Sequence, residues 1–562
     1  MDSVVNIDKD KIEEYLNNII LYDRLSGTKG EMEALKYIEN ELKKERIKCK
    51  THFYTAILSN PISSQVYYKY NGDKFLIKSK TRSFSASTGS EEIKGELIYI
   101  PENEFVKSII EYELKKNSFG LDLVGKIVIS ESLSPVAILQ IQKRGAIGYI
   151  QYWEGEEDLI HEGIFNPIWG MPLYNELGYY PQIPIVAISG KDGKSLIEKL
   201  NKLSIIVSIS TLLEKRLAQI PVLEAIIEPS KKTEEFLLIG NHIDSWHFGA
   251  TDNGTGNALA LYLAKGLNEK KDRLKIGVKI AWWSGHSNGR YVGSSIYARE
   301  NFLELMNGCL AYMNIDMPGL RGANNYRRIS SGPELFELAY KNIKKMTGQE
   351  GHYVGPIRGW DQSFQNIGVT PYFIWSSTLD DNHKDSTGKS FMSWWWHTEK
   401  DNLEYYDKEI LELDAKLYLV SALDILEKGI NVFNIDNLFK EILDELYLLK
   451  KDNDIFDISN IIDLLIKVKS LYNHLDEGLS SNIKIILVKK LNQIYYTHKE
   501  SYFQDFALQG LPMPGLNELI RIYKLLDDSE EKEILIHQTK CELNRIKNIL
   551  MEIELFLKTS KR

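Results

Sequence analysis

The chain has 562 residues, of which 43% are hydrophobic and 26% are charged, and this composition excludes a disordered, collagen-like or coiled-coil protein. Its length predicts roughly three or four domains. The formal charge of −9, from 69 basic and 78 acidic residues, argues against nucleic acid as a partner, because a generally acidic chain seldom offers a broad basic face.

The three cysteines, Cys49, Cys309 and Cys541, are far apart and form no CxxC pair, which argues against a disulfide framework or a cysteine zinc site. No apolar run is long enough to cross a membrane. The N-terminus has no basic segment followed by an apolar one, so we expect no signal peptide. We therefore expect a cytoplasmic protein without membrane partners.

The first half of the chain contains two kinds of pattern. Residues 1–60 include an amphipathic helix pattern, with apolar side chains at steps of three and four. These are Met32, Leu35, Ile38 and Leu42. Residues 61–222 consist mainly of short β-prone runs separated by turn residues, which indicates a mixed β/α domain. Its two predicted helices are 135–144 and 192–203.

The second half of the chain contains two further sequence patterns. From residue 235 to about 429, strand-like runs such as FLLIG, IGVKIAWW, CLAYMNI and TPYFIW alternate with helical ones. Strand–helix alternation predicts an α/β fold with a mostly parallel sheet and helices on both faces. From about residue 431 the chain is helical, with a long apolar stripe over 543–557.

Ligands bind beyond the carboxyl ends of the strands in open α/β sheets, so the residues after each strand are candidates for the site. Imidazole and carboxylate groups occur there at His242, Asp244, Asp252, His286, Asp316 and His397. Taken singly, each has a structural explanation as a strand-end or turn residue. Together they suit one or two zinc-like divalent ions, and one carboxylate could bridge a pair.

The phrase GNHIDSWHFGATDNGTGNA resembles the metal-binding segment of the M28 zinc peptidases, the family of glutamate carboxypeptidase and the bacterial aminopeptidases. These enzymes follow the order HxD…D…EE…D…H. The resemblance continues in RLSGTKGE, AYMNID, GWDQSFQNIGVTPYF and WWWHTEKDN. It spans nearly the whole chain.

The resemblance implies three domains. Residues 1–60 and 223–430 would form a mostly parallel-sheet metallopeptidase-like domain. Residues 61–222 resemble the inserted protease-associated domain. Residues 431–562 resemble the helical dimerisation domain of the branch that contains glutamate carboxypeptidase and the transferrin receptor, so the resemblance implies a homodimer.

The resemblance also implies site roles. His242 and Asp316 would bind one metal ion, Asp252 would bridge, and His397 would bind a second ion. Asp244 would orient the imidazole of His242 and fix its tautomer. The expected cofactor is zinc or another divalent transition metal, as one or two ions. The expected substrate is small and peptide-like or carboxylate-bearing.

The chain departs from the family pattern after the second strand of this domain, where SGHSNG stands in place of a phrase such as SGEEQG. His286 occupies the position of the general base, and Ser287 that of a carboxylate ligand. The following spacing is one residue longer than usual. His286 could act as the base or could itself be a metal ligand, or the chemistry could be lost.

The four retained ligand positions favour an enzyme that hydrolyses an amide bond. A metal-dependent lyase or cyclase, as in the glutaminyl cyclases of this fold, and a non-catalytic partner-binding protein remain the alternatives. Substrate clues are the three consecutive tryptophans 394–396, as a possible pocket wall, and several arginines that could pair with a carboxylate. These are Arg290, Arg321, Arg327, Arg328 and Arg358.

Overall fold

The computed structural model describes residues 6–155, 157–356, 358–372, 377–387, 392–451, 453, 455–475, 478–507, 512–524, 526 and 529–560. Its strands are β1 (Lys48–Tyr70), β2 (Asp73–Ile77), β3 (Lys80–Thr81), β4 (Ile93–Tyr99), β5 (Lys126–Ser130), β6 (Gly148–Tyr152), β7 (Ile185–Ile188), β8 (Ile206–Ile227), β9 (Phe236–His242), β10 (Gly277–Trp283), β11 (Cys309–Asn314), β12 (Arg328–Ile329), β13 (His352–Tyr353) and β14 (Thr370–Tyr372).

Its helices are α1 (Lys9–Ile19), α2 (Lys29–Lys44), α3 (Ile109–Lys115), α4 (Pro135–Lys143), α5 (Gly190–Leu200), α6 (Thr255–Asn268), α7 (Val292–Glu300), α8 (Phe302–Gly308), α9 (Phe336–Thr347), α10 (Lys408–Lys428), α11 (Ile435–Lys451), α12 (Ser459–Leu475), α13 (Ser481–Tyr496), α14 (Pro514–Tyr523) and α15 (Glu530–Thr559). Among these helices, none is long and apolar enough to cross a membrane.

The predicted α/β fold is confirmed. In the order β14-β11-β9-β10, neighbouring strands are parallel. Helix α6 leads from β9 back to β10, and helices α7 and α8 lead from β10 to β11, as strand–helix alternation predicts. The strand expected over 370–375 begins as β14, and its residues 373–375 lie outside the described part of the chain.

Two long antiparallel strands, β1 and β8, join the metallopeptidase-like part to the insertion. Their pairing runs from Lys48 opposite Ile226 to Lys69 opposite Ile206, with a register shift at Pro61. One end of β8 pairs with β10, and the other end pairs with β4 of the insertion. A single sheet therefore continues through both predicted boundaries of the 61–222 segment, because the two long strands carry its hydrogen-bonded ladder across.

The insertion has its own parallel strands, β4 to β7, with α4 and α5 as predicted. Its core consists of apolar clusters separate from that of the other domain, one that packs α5 against this part of the sheet and another that packs α4 against it. The helices α11 to α15 pack on the metallopeptidase-like domain through one continuous apolar cluster that also includes β9, β10, α6 and α10. This extensive burial holds the carboxyl ends of β9, β10 and β11 in a fixed arrangement.

Candidate active site

The candidate site lies at the carboxyl ends of three neighbouring strands, β9, β10 and β11. His242 is the last residue of β9 and is buried. His286 follows the end of β10, and Asp316 follows the end of β11. Because the strands themselves are buried on both faces, the polar side chains of this region gather beyond the strand ends.

The four predicted metal ligands converge around the carboxylate of Asp252. Oδ1 of Asp252 lies 3.1 Å from Nε2 of His242, and Oδ2 lies 3.1 Å from Nε2 of His397. Oδ1 of Asp316 lies 3.5 Å from the same His242 nitrogen. A carboxylate whose two oxygens face two imidazoles is placed to bridge a pair of cations.

The atoms of this cluster fit a divalent cation. Nε2 of His242 and Oδ1 of Asp316 are buried, and the close approaches just described do not have hydrogen-bond geometry, so both atoms remain without a hydrogen bond among the described residues. Burial alone would lower the pKa of His242, but nearby carboxylates, above all that of Asp316, raise it well above its usual range. Burial also raises the pKa of Asp316. A zinc-like ion binds to buried nitrogen and oxygen atoms of this kind, and it displaces the protons that they would otherwise hold.

Both imidazoles are oriented by backbone carbonyls. Nδ1 of His242 lies 2.8 Å from the carbonyl oxygen of Asp244, and Nδ1 of His397 lies 3.1 Å from the carbonyl oxygen of Glu162. A neutral imidazole that donates from Nδ1 carries its lone pair on Nε2, the atom that faces Asp252. Glu162 belongs to the insertion, so that segment helps to build the site.

The carboxylate of Asp244 mainly holds the loop after β10. Its Oδ2 accepts hydrogen bonds from Oγ of Ser26 at 2.6 Å and from the backbone N–H of Ser287 at 2.9 Å. Its Oδ1 lies 3.7 Å from Nδ1 of His242. The predicted orientation of His242 is thus provided by the carbonyl of Asp244, while the side chain fixes the start of the His286 loop.

The loop that carries Asp252 is held by a residue that sequence reasoning did not single out. The buried carboxylate of Asp401 accepts hydrogen bonds from the backbone N–H groups of Thr251 and Asp252, each at 2.9 Å, and from Oγ1 of Thr251 at 2.7 Å. Burial raises the pKa of Asp401 to about 6, although these hydrogen bonds act to lower it. Its only sequence signal is its place four residues after His397.

His286 is paired with Asp361, a second residue that sequence reasoning missed. Nδ1 of His286 lies 2.6 Å from Oδ2 of Asp361, whose Oδ1 accepts a hydrogen bond from Oγ of Ser294 at 2.6 Å. The His286 ring stacks on that of His242, with centroids 3.9 Å apart and 16° between the planes. One nitrogen of His286, one of His242 and one oxygen of Asp316 lie within 4.8 Å of one another.

A cavity of about 190 Å³ opens over these groups. Asp252, His286, Asp316 and His397 line it, together with Ser287. His242 lies beneath them. Ser287 is buried and offers a hydroxyl where the resemblance implies a carboxylate ligand, so this side of the centre carries one negative charge fewer.

Residues 223–420 match the model of peptidase family M28. This segment is therefore similar in sequence to the peptidase domain of family M28. It contains all of the predicted metal ligands. The remaining residues of the chain lie outside the family model.

Solved structures share the fold of the M28 domain and its surroundings. A peptidase M28 precursor from Shewanella amazonensis has a TM-score of 0.58 at 18% identity and covers 75% of this chain and 92% of its own. An aminopeptidase from Aneurinibacillus has a TM-score of 0.55 at 18% identity and covers 75% and 94%. A zinc aminopeptidase from Bacillus subtilis has a TM-score of 0.53 at 17% identity and covers 74% and 94%.

Curated relatives include a probable glutamate carboxypeptidase, AMP1, of Arabidopsis thaliana. It is 22% identical over 373 residues, which are 54% of this chain and 50% of that protein. An aminopeptidase, NAALADL1, of mouse is 29% identical over 229 residues, which are 36% of this chain and 30% of that protein. The chain thus spans about half the length, or less, of these curated relatives.

The three consecutive tryptophans of the M28 domain have different surroundings. Trp395 is fully buried and stacks on Tyr405 with ring centroids 4.4 Å apart. Trp396 lines the cavity and stacks on His397 at 3.6 Å. Nε1 of Trp394 donates a hydrogen bond to Asp385. Only Trp396 of the three therefore walls the cavity.

The candidate arginines of this segment also differ in burial and in contacts. Arg358 is buried and donates to the carbonyl of Asp505, so it holds the helical domain. Arg321 is half-exposed and lies over the ring of Tyr405. Arg327 is exposed. Arg290 lines the cavity beside His286.

Proposed function

We propose that the protein is a divalent-metal-dependent hydrolase that cleaves an amide bond in a small, peptide-like substrate, with His286 as the general base. The observation that carries the proposal is the hydrogen-bonded pair of His286 and Asp361 at the edge of the Asp252 cluster. The family assignment of residues 223–420 supports it.

The ion would be held by His242, Asp252 and Asp316, with a second and weaker position between Asp252 and His397. A divalent ion there would polarise an amide carbonyl and lower the pKa of water. Because Ser287 stands in place of a carboxylate, the second position has fewer charged ligands, which favours weaker binding there.

The chain's own contribution is to move a proton. Asp361 accepts a hydrogen bond from Nδ1 of His286, which leaves the lone pair on Nε2 facing the cavity. Nε2 of His286 takes a proton from the attacking water and returns it to the leaving amine. Ser294 holds Asp361 in place, so the imidazole does not have to reorient between the two transfers.

Ring stacking favours the base over a shared-ligand role for His286. A neutral imidazole binds a metal through the lone pair in its ring plane. The rings of His242 and His286 are nearly parallel, with centroids 3.9 Å apart, so their in-plane lone pairs do not converge and the two rings would not be suited to hold one ion together. The opposing observation is that ligand atoms of both rings and of Asp316 are within 4.8 Å.

Metal analysis and turnover together test the proposal. Full-length protein purified without chelator or nickel is analysed for metal and then incubated with a panel of dipeptides and N-acyl amino acids, with products followed by mass spectrometry. The matched variants are His286→Gln and His537→Gln, since His537 is an exposed residue of α15. We expect wild type and His537→Gln to bind metal and hydrolyse at least one compound.

We expect His286→Gln to keep the metal and to lose turnover by about 100-fold or more, the usual contribution of a general base. Loss of the metal in His286→Gln would make His286 a ligand instead. A protein that binds no divalent ion, or whose hydrolysis survives complete removal of the metal, would contradict the proposed function.

A further inference from the structure

A chain of hydrogen bonds links the insertion to His286. The indole N–H of Trp169, a residue of the insertion, donates to Oγ of Ser363 at 2.7 Å, and Oγ of Ser363 lies 2.8 Å from Oγ of Ser294. Oγ of Ser294 donates to Asp361 at 2.6 Å, and Asp361 faces Nδ1 of His286 at the same distance. The first four of these residues are each at most 2% exposed, so solvent does not compete for the links between them.

The two ends of this chain fix the direction of the protons in it. An indole nitrogen can only donate, and an ionised carboxylate can only accept. The single proton of the Ser294 hydroxyl has its shorter bond to Asp361, since the carbonyl of Tyr291 is 3.2 Å away. Ser363 therefore donates to Ser294 while it accepts from Trp169. Because all these bonds point the same way, each one polarises the next toward the carboxylate of Asp361.

Both neighbouring domains hold the loop that carries this tryptophan. The carbonyl of Pro167 accepts a hydrogen bond at 3.0 Å from the N–H of Ala507 in the helical domain, and the N–H of Gly170 donates at 2.7 Å to the carbonyl of Arg290 in the loop of the base. Gly170 has a φ of 71°, and a Cβ at this position would lie 2.1 Å from Oγ of Ser295. Glycine thus permits the close approach of the insertion to α7.

The indole ring and its acceptor are held by one connected set of side chains. The guanidinium carbon of Arg358 lies 4.4 Å from the ring centroid of Trp169, and the ring of Tyr291 lies 4.2 Å from it. Arg358 donates to Oε1 of Gln504 at 2.6 Å, and Nε2 of Gln504 donates to the carbonyl of Ser363 at 3.0 Å. These contacts fix the ring and the serine relative to each other, which keeps the indole N–H directed at the hydroxyl.

We infer that Trp169 is a positioning residue for His286, and that docking of the insertion thereby controls the base. Trp169 acts through the two serines on Asp361, whose carboxylate keeps Nδ1 of His286 as a donor and leaves Nε2 as the proton acceptor. Loss of the indole N–H leaves a buried hydroxyl without its donor and weakens every later bond of the chain. The inference rests on the proposed function, because it assigns the regulation of the base of that site.

Nuclear magnetic resonance tests the inference without a substrate. Zinc-loaded full-length protein is labelled with ¹⁵N in its 11 histidines, and the Nδ1–H signal of His286 is identified by its loss in His286→Gln. The test variants are Trp169→Phe and Ser363→Ala. The control for loss of a buried indole is Trp282→Phe on β10, because Nε1 of Trp282 has no hydrogen-bond partner within the described part of the chain.

We expect the Nδ1–H proton of His286 to resonate far downfield in wild type and in Trp282→Phe, as the proton of a short charge-assisted hydrogen bond does. It should move upfield in Trp169→Phe and in Ser363→Ala. Circular dichroism checks the fold, and Ser363→Ala alone decides the question if Trp169→Phe does not fold. A signal at the wild-type position in the folded variants, or no downfield signal in wild type, would overturn the inference.

Steady-state kinetics measure the consequence for turnover. Trp169→Phe should lower kcat by about three- to tenfold with little change in KM or in metal content, the effect expected for loss of one supporting hydrogen bond. In the Asp361→Asn background the same substitution should cause no further loss, because the chain no longer ends on a carboxylate. Losses that multiply would make Trp169 a structural residue that acts independently of Asp361, and they would overturn the inference.

The two measurements separate this inference from the proposed function. A His286 signal that responds to Trp169→Phe, in a protein that hydrolyses none of the compounds, would support the inference and contradict the proposed function alone. The same holds if His286→Gln retains full turnover while the signal of the wild type responds as expected. Turnover that depends on His286, combined with a signal that ignores both test variants, would support the proposed function and overturn the inference.

Discussion

The carboxylate of Asp361 lies 75 residues beyond His286 in the chain, yet its Oδ2 is 2.6 Å from Nδ1 of His286. Asp361 has a φ of 57°, a backbone conformation that a longer or branched side chain would adopt at greater cost. The pair gives the replaced residue of the M28 phrase a fixed ring orientation. The histidine that replaces the usual glutamate of this phrase is therefore held in a fixed position beside the predicted metal ligands.

The first prediction concerns this pair. Asp361→Asn should lower kcat by roughly ten- to a hundredfold with little change in KM, because the amide no longer fixes the charge and tautomer of His286. The measurement is steady-state kinetics on whichever compound the wild type hydrolyses, together with metal content. Ser294→Ala should have a smaller effect in the same direction. An Asp361→Asn enzyme with wild-type kcat would remove Asp361 from the proposed mechanism.

The second prediction concerns the bridging position. Asp252→Asn keeps the size of the side chain but removes the negative charge shared by His242 and His397. Metal affinity should fall by more than the roughly 10–100-fold that follows loss of an outer hydrogen-bonding partner. Metal content after dialysis and circular dichroism measure binding and fold. Asp444→Asn, at an exposed site on α11, is the control, and full metal retention in Asp252→Asn would refute the assigned centre.

The third prediction concerns coupling between the insertion and the metal centre. The N–H of Glu162 donates to the carbonyl of His397 at 2.7 Å, and the carbonyl of Glu162 accepts from its imidazole. Removal of the metal by a chelator should therefore speed hydrogen exchange in residues 160–165, because His397 loses its tether on the Nε2 side. Exchange measured by mass spectrometry should be unchanged in α15. Equal exchange with and without metal at 160–165 would count against this coupling.

The fourth prediction concerns a buried lysine far from the cavity. Lys489 on α13 donates to the carbonyl of Met306 at 2.7 Å, and burial lowers its pKa to about 8. Its unfolded pKa is about 10.4, so between these values the unfolded chain binds more protons and the free energy of unfolding rises with pH, by at most roughly 3 kcal/mol. Lys489→Met should flatten this rise.

Urea unfolding of both proteins at pH 7.5 and at pH 10 measures the difference. The pH dependence of the wild type is compared with that of the variant, because this difference isolates Lys489 from other groups that titrate in the same range. An equal rise in the wild type and in Lys489→Met would mean that the lysine is not responsible. Lys490→Met, at the half-exposed neighbouring position, is the control.

Much of this protein was determined by local sequence. Strand–helix alternation predicted the parallel order around β9, and the polar residues after each buried strand supplied the candidate metal ligands, because parallel strands end at one edge of the sheet. Strand-end position made His242, Asp252, Asp316 and His397 candidates, the family resemblance implied their role as ligands, and the structure brings them together. Spacing within the chain is sufficient where a residue's position follows from the strand that precedes it.

Only the tertiary structure decided the rest. Asp361 and Asp401 stand in loops whose course no periodicity specifies, and their partners are distant in the chain, so no local pattern marks them. The carbonyl of Glu162 reaches His397 because β1 and β8 carry the sheet into the insertion. Every residue has a backbone carbonyl, so the residue type at position 162 gives no sign of this contact. The burial that separates Arg290 from the solvated Arg327 likewise depends on packing, which the two arginines' sequence neighbours do not reveal.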